Sequence, residues 1–176
     1  MGSGGFGRVL LCRNVKLHRD VAIKVLTHHS ERASRQFLSE AKNLASFNNH
    51  RNIVQIHGFF ETGGLKVIEM EYVRDGNLKQ RLDGPRFTHA ECMQCFLQLI
   101  TTVKYLHRQQ MLHCDIKPEN VLLGRDPSDG SVVFKLADFG LSRDESAAMS
   151  VSTMTSSIMF GGTRLCVMCP SCCEKL

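Results

Sequence analysis

His113-Cys114-Asp115-Ile116-Lys117-Pro118-Glu119-Asn120 gathers a carboxylate, an ammonium and a carboxamide into one short polar loop. Asp115 can accept a hydroxyl proton, Lys117 can neutralise charge developing on a phosphate, and the oxygen of Asn120 can ligate a hard cation. Further on, an apolar strand at 132–136 runs into Asp138-Phe139-Gly140, which offers a carboxylate for the same cation. Either stretch alone reads as an ordinary turn.

Working back from that loop, Thr88-His89-Ala90-Glu91 has capping-box spacing and opens a long amphipathic helix. Phe96, Leu97, Ile100, Val103 and Leu106 are its expected inward residues. Asp75-Gly76-Asn77 breaks the chain before it. Strands are expected at 53–60 and 65–72, joined through Thr62-Gly63-Gly64. A helix over 30–47 carries Phe37, Leu38, Ala41, Leu44 and Ala45 as one apolar stripe, with Glu40 beside it. Taken by itself, Glu40 is a solvated helix charge.

Earlier still, Val21-Ala22-Ile23-Lys24-Val25-Leu26 reads as a strand of a hairpin turning near 16–20. A lysine on a half-buried strand requires a partner, which Glu40 can supply. Gly2-Ser3-Gly4-Gly5-Phe6-Gly7-Arg8-Val9 fits G-x-G-x-x-G-x-V. Glycines let backbone N–H groups approach phosphate oxygens closely. A flexible terminus has the same composition. A dinucleotide fold would place a strand before the glycines and a helix after them. Here a strand follows, as expected of a hairpin lid over nucleotide phosphates. Strands with one helix, then a helix-led half with short strands at 121–123 and 132–136, predict an α+β fold of two lobes with a cleft between them.

The chain has 176 residues, 43% apolar and 22% charged, with a formal net charge of +5. These values suit a globular domain, and no aromatic-interleaved basic run points to nucleic acid. No apolar stretch approaches the roughly 18 residues of a membrane span, and the first residues lack a signal-peptide pattern. Gly2 is followed by Phe6 where a myristoylation signal wants Ser or Thr. Eight cysteines without a secretory signal read as reduced thiols in a cytoplasmic protein. Cys92-x-x-Cys95 reads as helix core. Cys166, Cys169, Cys172 and Cys173 are spaced too tightly for a usual two-knuckle zinc site.

In order along the chain, the Gly-rich loop, Val21-Ala22-Ile23-Lys24, Glu40, the 113–120 loop and Asp138-Phe139-Gly140 resemble the motif set of eukaryotic-type protein kinases. The resemblance runs from Gly2 to about Thr163. It implies a small sheet-rich lobe and hinge at 1–73, and part of a helical lobe with catalytic loop and activation segment at 74–163. A divergent tail at 164–176 follows. ATP, Mg2+ and a protein substrate are the implied ligands, with no nucleic acid and no membrane span.

By the same resemblance, Gly2, Gly4 and Gly7 cover the phosphates, and Lys24 binds them while pairing with Glu40. Asp115 is the catalytic base, Lys117 the phosphate-facing lysine, and Asn120 and Asp138 the magnesium ligands. Val9 and Ala22 pack above adenine and Leu122 below it. Met70 is the gatekeeper, and Glu71 to Val73 form the hinge whose backbone bonds the base. Ile56, Leu44, Phe139 and His113 form an apolar spine. Lys117-Pro118-Glu119 and Thr163 resemble the Ser/Thr subclass, with a lean towards the tyrosine-kinase-like branch.

Cys114 departs from the family's Arg, which normally binds activation-loop phosphate. Arg164 to Ser171 departs from the aromatic and A-P-E expected after Gly162-Thr163. The resemblance therefore implies an incomplete domain. Phosphoryl transfer to Ser/Thr hydroxyls is the expected activity. The alternative is an impaired kinase-like module that binds nucleotide or protein.

Overall fold

The computed structural model describes residues 3–4, 7–27, 30–144, 156–160 and 163–167. An antiparallel sheet contains β1 (Ser3–Gly4), β2 (Gly7–Asn14), β3 (Arg19–Leu26), β4 (Ile56–Thr62) and β5 (Leu65–Glu71), in the spatial order β1-β2-β3-β5-β4. Gly63 and Gly64 link β4 to β5 at φ +54° and +76°. A two-residue turn with positive φ at both positions suits the right-handed twist of the strands, and glycine adopts it without strain.

Helix α1 (Glu31–Ser46) lies between β3 and β4 in the chain. Ser30 caps it, its Oγ accepting the Ala33 N–H at 3.2 Å; such a cap contributes about 1 kcal/mol. The buried face is Ala33, Phe37, Glu40, Ala41 and Leu44. Two expected members of the stripe, Leu38 and Ala45, are exposed instead. Ala33 and Glu40 take their places, because Lys24 meets the Glu40 carboxylate and makes its burial tolerable.

After β5 the chain passes into a helix-led half. It contains α2 (Leu78–Leu82), α3 (His89–Arg108), β6 (Met111–Leu112), a 3-10 turn at Pro118–Asn120, β7 (Val121–Arg125), β8 (Val132–Leu136) and β9 (Arg143–Asp144). β7 pairs with β8, and β6 with β9. Asn77 and Gln80 form a capping box for α2, and Thr88 and Glu91 form one for α3.

The inward face of α3 differs from expectation. Cys95, Leu99, Thr102, Val103 and Leu106 are buried, whereas Phe96, Leu97 and Ile100 are 45%, 54% and 50% exposed. The helix carries apolar residues on two sides, and periodicity alone does not tell which side its neighbours cover. Gln94 and Gln98 choose it: both donate to Val132 O, at 3.1 and 3.0 Å, fixing the helix against β8.

Cys95 belongs to the core, and burial pushes its thiol up to about 12, while Cys92 of the same C-x-x-C is exposed. Among the described residues Cys12, Cys92, Cys95 and Cys114 are in no disulfide.

The halves are stitched together beside α3. Asn52 Nδ2 donates to Gln98 Oε1 at 2.6 Å and to Phe134 O at 2.9 Å. Val54 N donates to Leu136 O, and Leu136 N to Asn52 O. The core runs continuously through this seam, from Phe37, Leu44 and Ile68 to Leu78, Leu106, Leu136 and Phe139.

Two further strands, β10 (Ser156–Phe160) and β11 (Thr163–Val167), pair antiparallel with Ile158 opposite Leu165. No regular element was expected before Phe160. Short apolar runs on both sides of the Gly161-Gly162 sequence are a hairpin signal that the Ser/Thr/Met composition masks. Gly2, the cysteines Cys169, Cys172 and Cys173, and residues 146–155 of the Ser/Thr/Met-rich stretch from Ser146 to Met159, which its composition predicts to be mobile, lie outside the described residues.

Candidate active site

Lys24 sits in the middle of β3, opposite Val9 on β2 and Ile68 on β5. It is only 7% exposed. Its Nζ donates to Glu40 Oε1 at 2.5 Å and to Asp138 Oδ1 at 3.1 Å. Burial would depress the ammonium; Glu40 and Asp138 outweigh that and hold it above its usual range. Burial lifts the Glu40 carboxyl in spite of Lys24. Burial also opposes ionisation of Asp138, but Lys24 prevails and the carboxyl is held below its usual value. Two carboxylates facing one ammonium favour the charged form of Lys24.

Asp138 and Cys114 both have φ of +62°. This left-handed region is costly for residues other than glycine. In both cases the turn aims a carboxylate: that of Asp138 itself, and that of Asp115 after Cys114. Lys117 Nζ and Asn120 Nδ2 each donate to Asp115 Oδ2 at 2.8 Å, and Asn120 Nδ2 also reaches Asp115 O at 2.9 Å. The bond to Asp115 raises the Lys117 ammonium.

The clusters meet at the backbone of Ala137, the residue before Asp138. Ala137 N donates to Asn120 O at 2.9 Å, and Ala137 O lies 3.2 Å from His113 Nε2. His113 is fully enclosed, and its ring meets Phe139 edge-on at 4.6 Å between centroids. The Asp115 N–H donates to His113 Nδ1 at 3.3 Å. Nδ1 therefore accepts and Nε2 donates, which is a neutral imidazole. Burial drives its pKa down to about 4, only partly offset by Ala137 O.

The donor atoms suit a hard divalent cation. Asn120 commits its amide nitrogen to Asp115, so its carbonyl oxygen is the remaining donor, and Asp138 adds a carboxylate. Mg2+ characteristically takes one or two protein oxygens together with phosphates and water. Among the described residues no cluster of three or more His, Cys, Asp or Glu side chains forms a complete metal cage.

The expected adenine-contacting residues lie along the sheet and the crossing to the second half. Ala22 pairs with Met70, and both are buried. Val9, Val73 and Leu122 are partly buried against the core. Glu71 is tied into the fold: its N–H donates to Gln55 O, and its carboxylate accepts from Gln55 N and Lys135 Nζ, each at 2.8 Å. Its N–H is thus committed within the protein. Gly7 is required by packing, since a Cβ there would sit 2.6 Å from Val25 O. Gly4 pairs with Gly7 on β1, and Gly2 lies outside the described residues.

The family model for the protein kinase domain matches residues 1–163. The chain belongs to the protein kinase family. It is 33% identical over 149 residues to the L-type lectin-domain containing receptor kinase I.8 of Arabidopsis thaliana, a match covering 81% of this chain and 22% of that relative. The Aurora kinase of Schizosaccharomyces pombe is 34% identical over 146 residues, covering 81% of this chain and 39% of that protein. The serine/threonine-protein kinase PrkC of Bacillus subtilis is 32% identical over 159 residues, covering 88% and 23%. The kinase chain thus spans less than half the length of each of these relatives. No helix among its described residues is long and apolar enough to cross a membrane.

Sequence reasoning overlooked several polar residues that organise this site. Gln36 donates to Gly140 O, Asn43 to Ser142 Oγ, and Lys135 to Glu71. These residues have no motif spacing of their own, and only the fold brings them to their partners.

Proposed function

We propose that this chain carries the catalytic machinery of an ATP- and Mg2+-dependent protein kinase that phosphorylates Ser or Thr hydroxyls of protein substrates in the cytoplasm. The observation that carries this reading is the joining of two clusters, Lys24–Glu40–Asp138 and Asp115–Lys117–Asn120, through the backbone of Ala137, the residue before Asp138. One cluster is suited to bind phosphate and a cation, and the other to receive a hydroxyl proton.

In this reading residues 1–73 form the nucleotide-facing lobe and hinge, 74–163 the catalytic part of the second lobe, and 164–176 a divergent tail. Lys24, held by Glu40, orients the α- and β-phosphates beneath Gly2, Gly4 and Gly7. Val9, Ala22 and Leu122 enclose adenine. Met70 limits the depth of the pocket, and the backbone from Glu71 to Val73 bonds the base. Asp115 orients the substrate hydroxyl and takes its proton, and Lys117 stabilises negative charge on the phosphoryl oxygens. When bound by Asn120 and Asp138, Mg2+ supplies charge neutralisation at the phosphates. Proton acceptance by a positioned side chain is worth roughly 100- to 10,000-fold in rate.

The test is transfer of labelled phosphate from ATP to a generic protein substrate, followed by identification of the phosphorylated residue. Phosphoserine or phosphothreonine is expected, with a loss of roughly 100-fold or more in Asp115→Asn. Undiminished transfer in that variant, or label on tyrosine alone, overturns the proposal. A wild-type chain that binds Mg-ATP without transferring phosphate identifies a nucleotide-binding module instead.

A further inference from the structure

Gln36, Glu40 and Asn43 follow one another along a single edge of α1, at i, i+4 and i+7. All three engage the system built around Asp138. Gln36 Nε2 donates to Gly140 O at 2.6 Å, and Asn43 Nδ2 donates to Ser142 Oγ at 2.8 Å. Between them Glu40 holds Lys24, and Lys24 holds Asp138. Ser142 closes the turn from behind, its Oγ and its N–H both donating to Phe139 O.

This turn needs external support. Asp138 occupies the left-handed region, and its side chain is 39% exposed. Lys24 is shared with Glu40, so its hold on Asp138 is divided. Gln36 and Asn43 add oriented bonds from outside the charged cluster. Both are neutral, so they bind the segment without competing for the lysine. A shift of α1 by one helical turn, about 5.4 Å, would break both bonds together with the Lys24–Glu40 contact.

We infer that Gln36 and Asn43 are positioning residues that latch α1 to residues 140–142, so that Glu40, Lys24 and Asp138 close as one unit. Its catalytic consequence rests on the kinase reading; the latch itself does not. Losing one neutral hydrogen bond lowers the equilibrium constant for the latched form roughly 5-fold. Gln36→Leu and Asn43→Leu each remove a donor. Ser142→Ala removes the acceptor of the Asn43 bond with little change of volume.

The first measurement is amide hydrogen exchange on the full chain without nucleotide. Exchange over residues 138–144 is expected to rise roughly 5-fold in each single variant, while α3 and β7 stay protected. Asn43→Leu combined with Ser142→Ala is expected to be no worse than Ser142→Ala alone, because Ser142→Ala already breaks the Asn43 bond along with the Ser142 Oγ bond to Phe139 O. The second measurement is steady-state kinetics, in which kcat falls by at most roughly 5-fold while KM for the protein substrate holds.

Unchanged exchange over 138–144 in both leucine variants overturns the latch. So does a rise spread equally over α3 and β7, which marks a general loss of structure. If a leucine variant fails to fold, the alanine variant at the same position decides by the same exchange criterion. If the wild-type chain transfers no phosphate, the kinase reading fails while the exchange measurement still judges the latch.

Discussion

Lowering the pH should destabilise this protein through one buried ring, that of His113. Folding encloses the ring completely, and its pKa falls from 6.5 to about 4. The unfolded chain takes up a proton on this histidine below pH 6.5, whereas the folded chain resists until about pH 4. The unfolded state binds more protons across that window, so stability falls as pH falls. The contribution is complete above pH 6.5 and is lost progressively down to about pH 4. At about 1.4 kcal/mol per unit, the loss is about 3 kcal/mol, a large fraction of the 5–15 kcal/mol typical of a folded domain. The geometry explains the resistance, because a proton on Nδ1 would meet the Asp115 N–H that now donates there.

His113→Phe separates this effect from the other titrating groups. The aromatic contact with Phe139 can persist, but Ala137 O and the Asp115 N–H lose their partner, which costs about 1–3 kcal/mol at neutral pH. Denaturant unfolding of both proteins at several values between pH 7 and pH 4 provides the assay. The wild-type advantage should shrink by about 3 kcal/mol across that range. Two stability curves that run parallel would refute the reasoning, since they would show that His113 does not resist protonation in the fold.

Lys135→Met should destabilise the chain by about 1–3 kcal/mol, because it strips a partly buried partner from the Glu71 carboxylate at the seam between the halves. Adding Glu71→Gln should cost less than the sum of the single changes in denaturant melts, and strict additivity would show that the pair is not coupled. On α3, Leu99→Ala should cost about 2–5 kcal/mol, while Leu97→Gln should change stability by at most about 0.5 kcal/mol and reduce self-association in sedimentation, because Leu97 shares an exposed stripe with Met93, Phe96 and Ile100. Equal losses of stability at the two leucines would reverse the assignment of the helix faces.

Residues that carry charge into unusual places were the most legible in the sequence. Lys24 in an apolar strand demanded a partner, and Glu40 lay on the following helix at a position able to provide one; the structure brings them to 2.5 Å. The capping signal at Thr88 acts within a single turn of chain, so it also located a helix start. Faces were less legible than elements. Helix α3 has apolar residues on both sides, and its burial depends on β8, which lies later in the chain. The short α2 was overlooked because five residues are too few for a periodic pattern.

A deeper limit concerns the neutral amides. Gln36, Asn43, Asn52 and Gln98 each tie together segments far apart in sequence: α1 to the turn after Asp138, and the approach to β4 to α3 and β8. On the sequence they resemble any solvated glutamine or asparagine, since they carry no charge, break no period and belong to no spaced motif. Their value comes from directionality. An amide offers donors at fixed angles, and a hydrogen bond weakens steeply when its angle falls below about 120°. Such a residue therefore specifies relative position more sharply than an apolar contact, which tolerates sliding. The charged groups of this site require that sharpness, because Lys24 can satisfy Glu40 and Asp138 together only while α1 and the Asp138 turn keep their spacing. The chemistry of the site is thus written in charged residues with recognisable spacing, and its geometry is held by neutral residues that become visible only once the chain has folded.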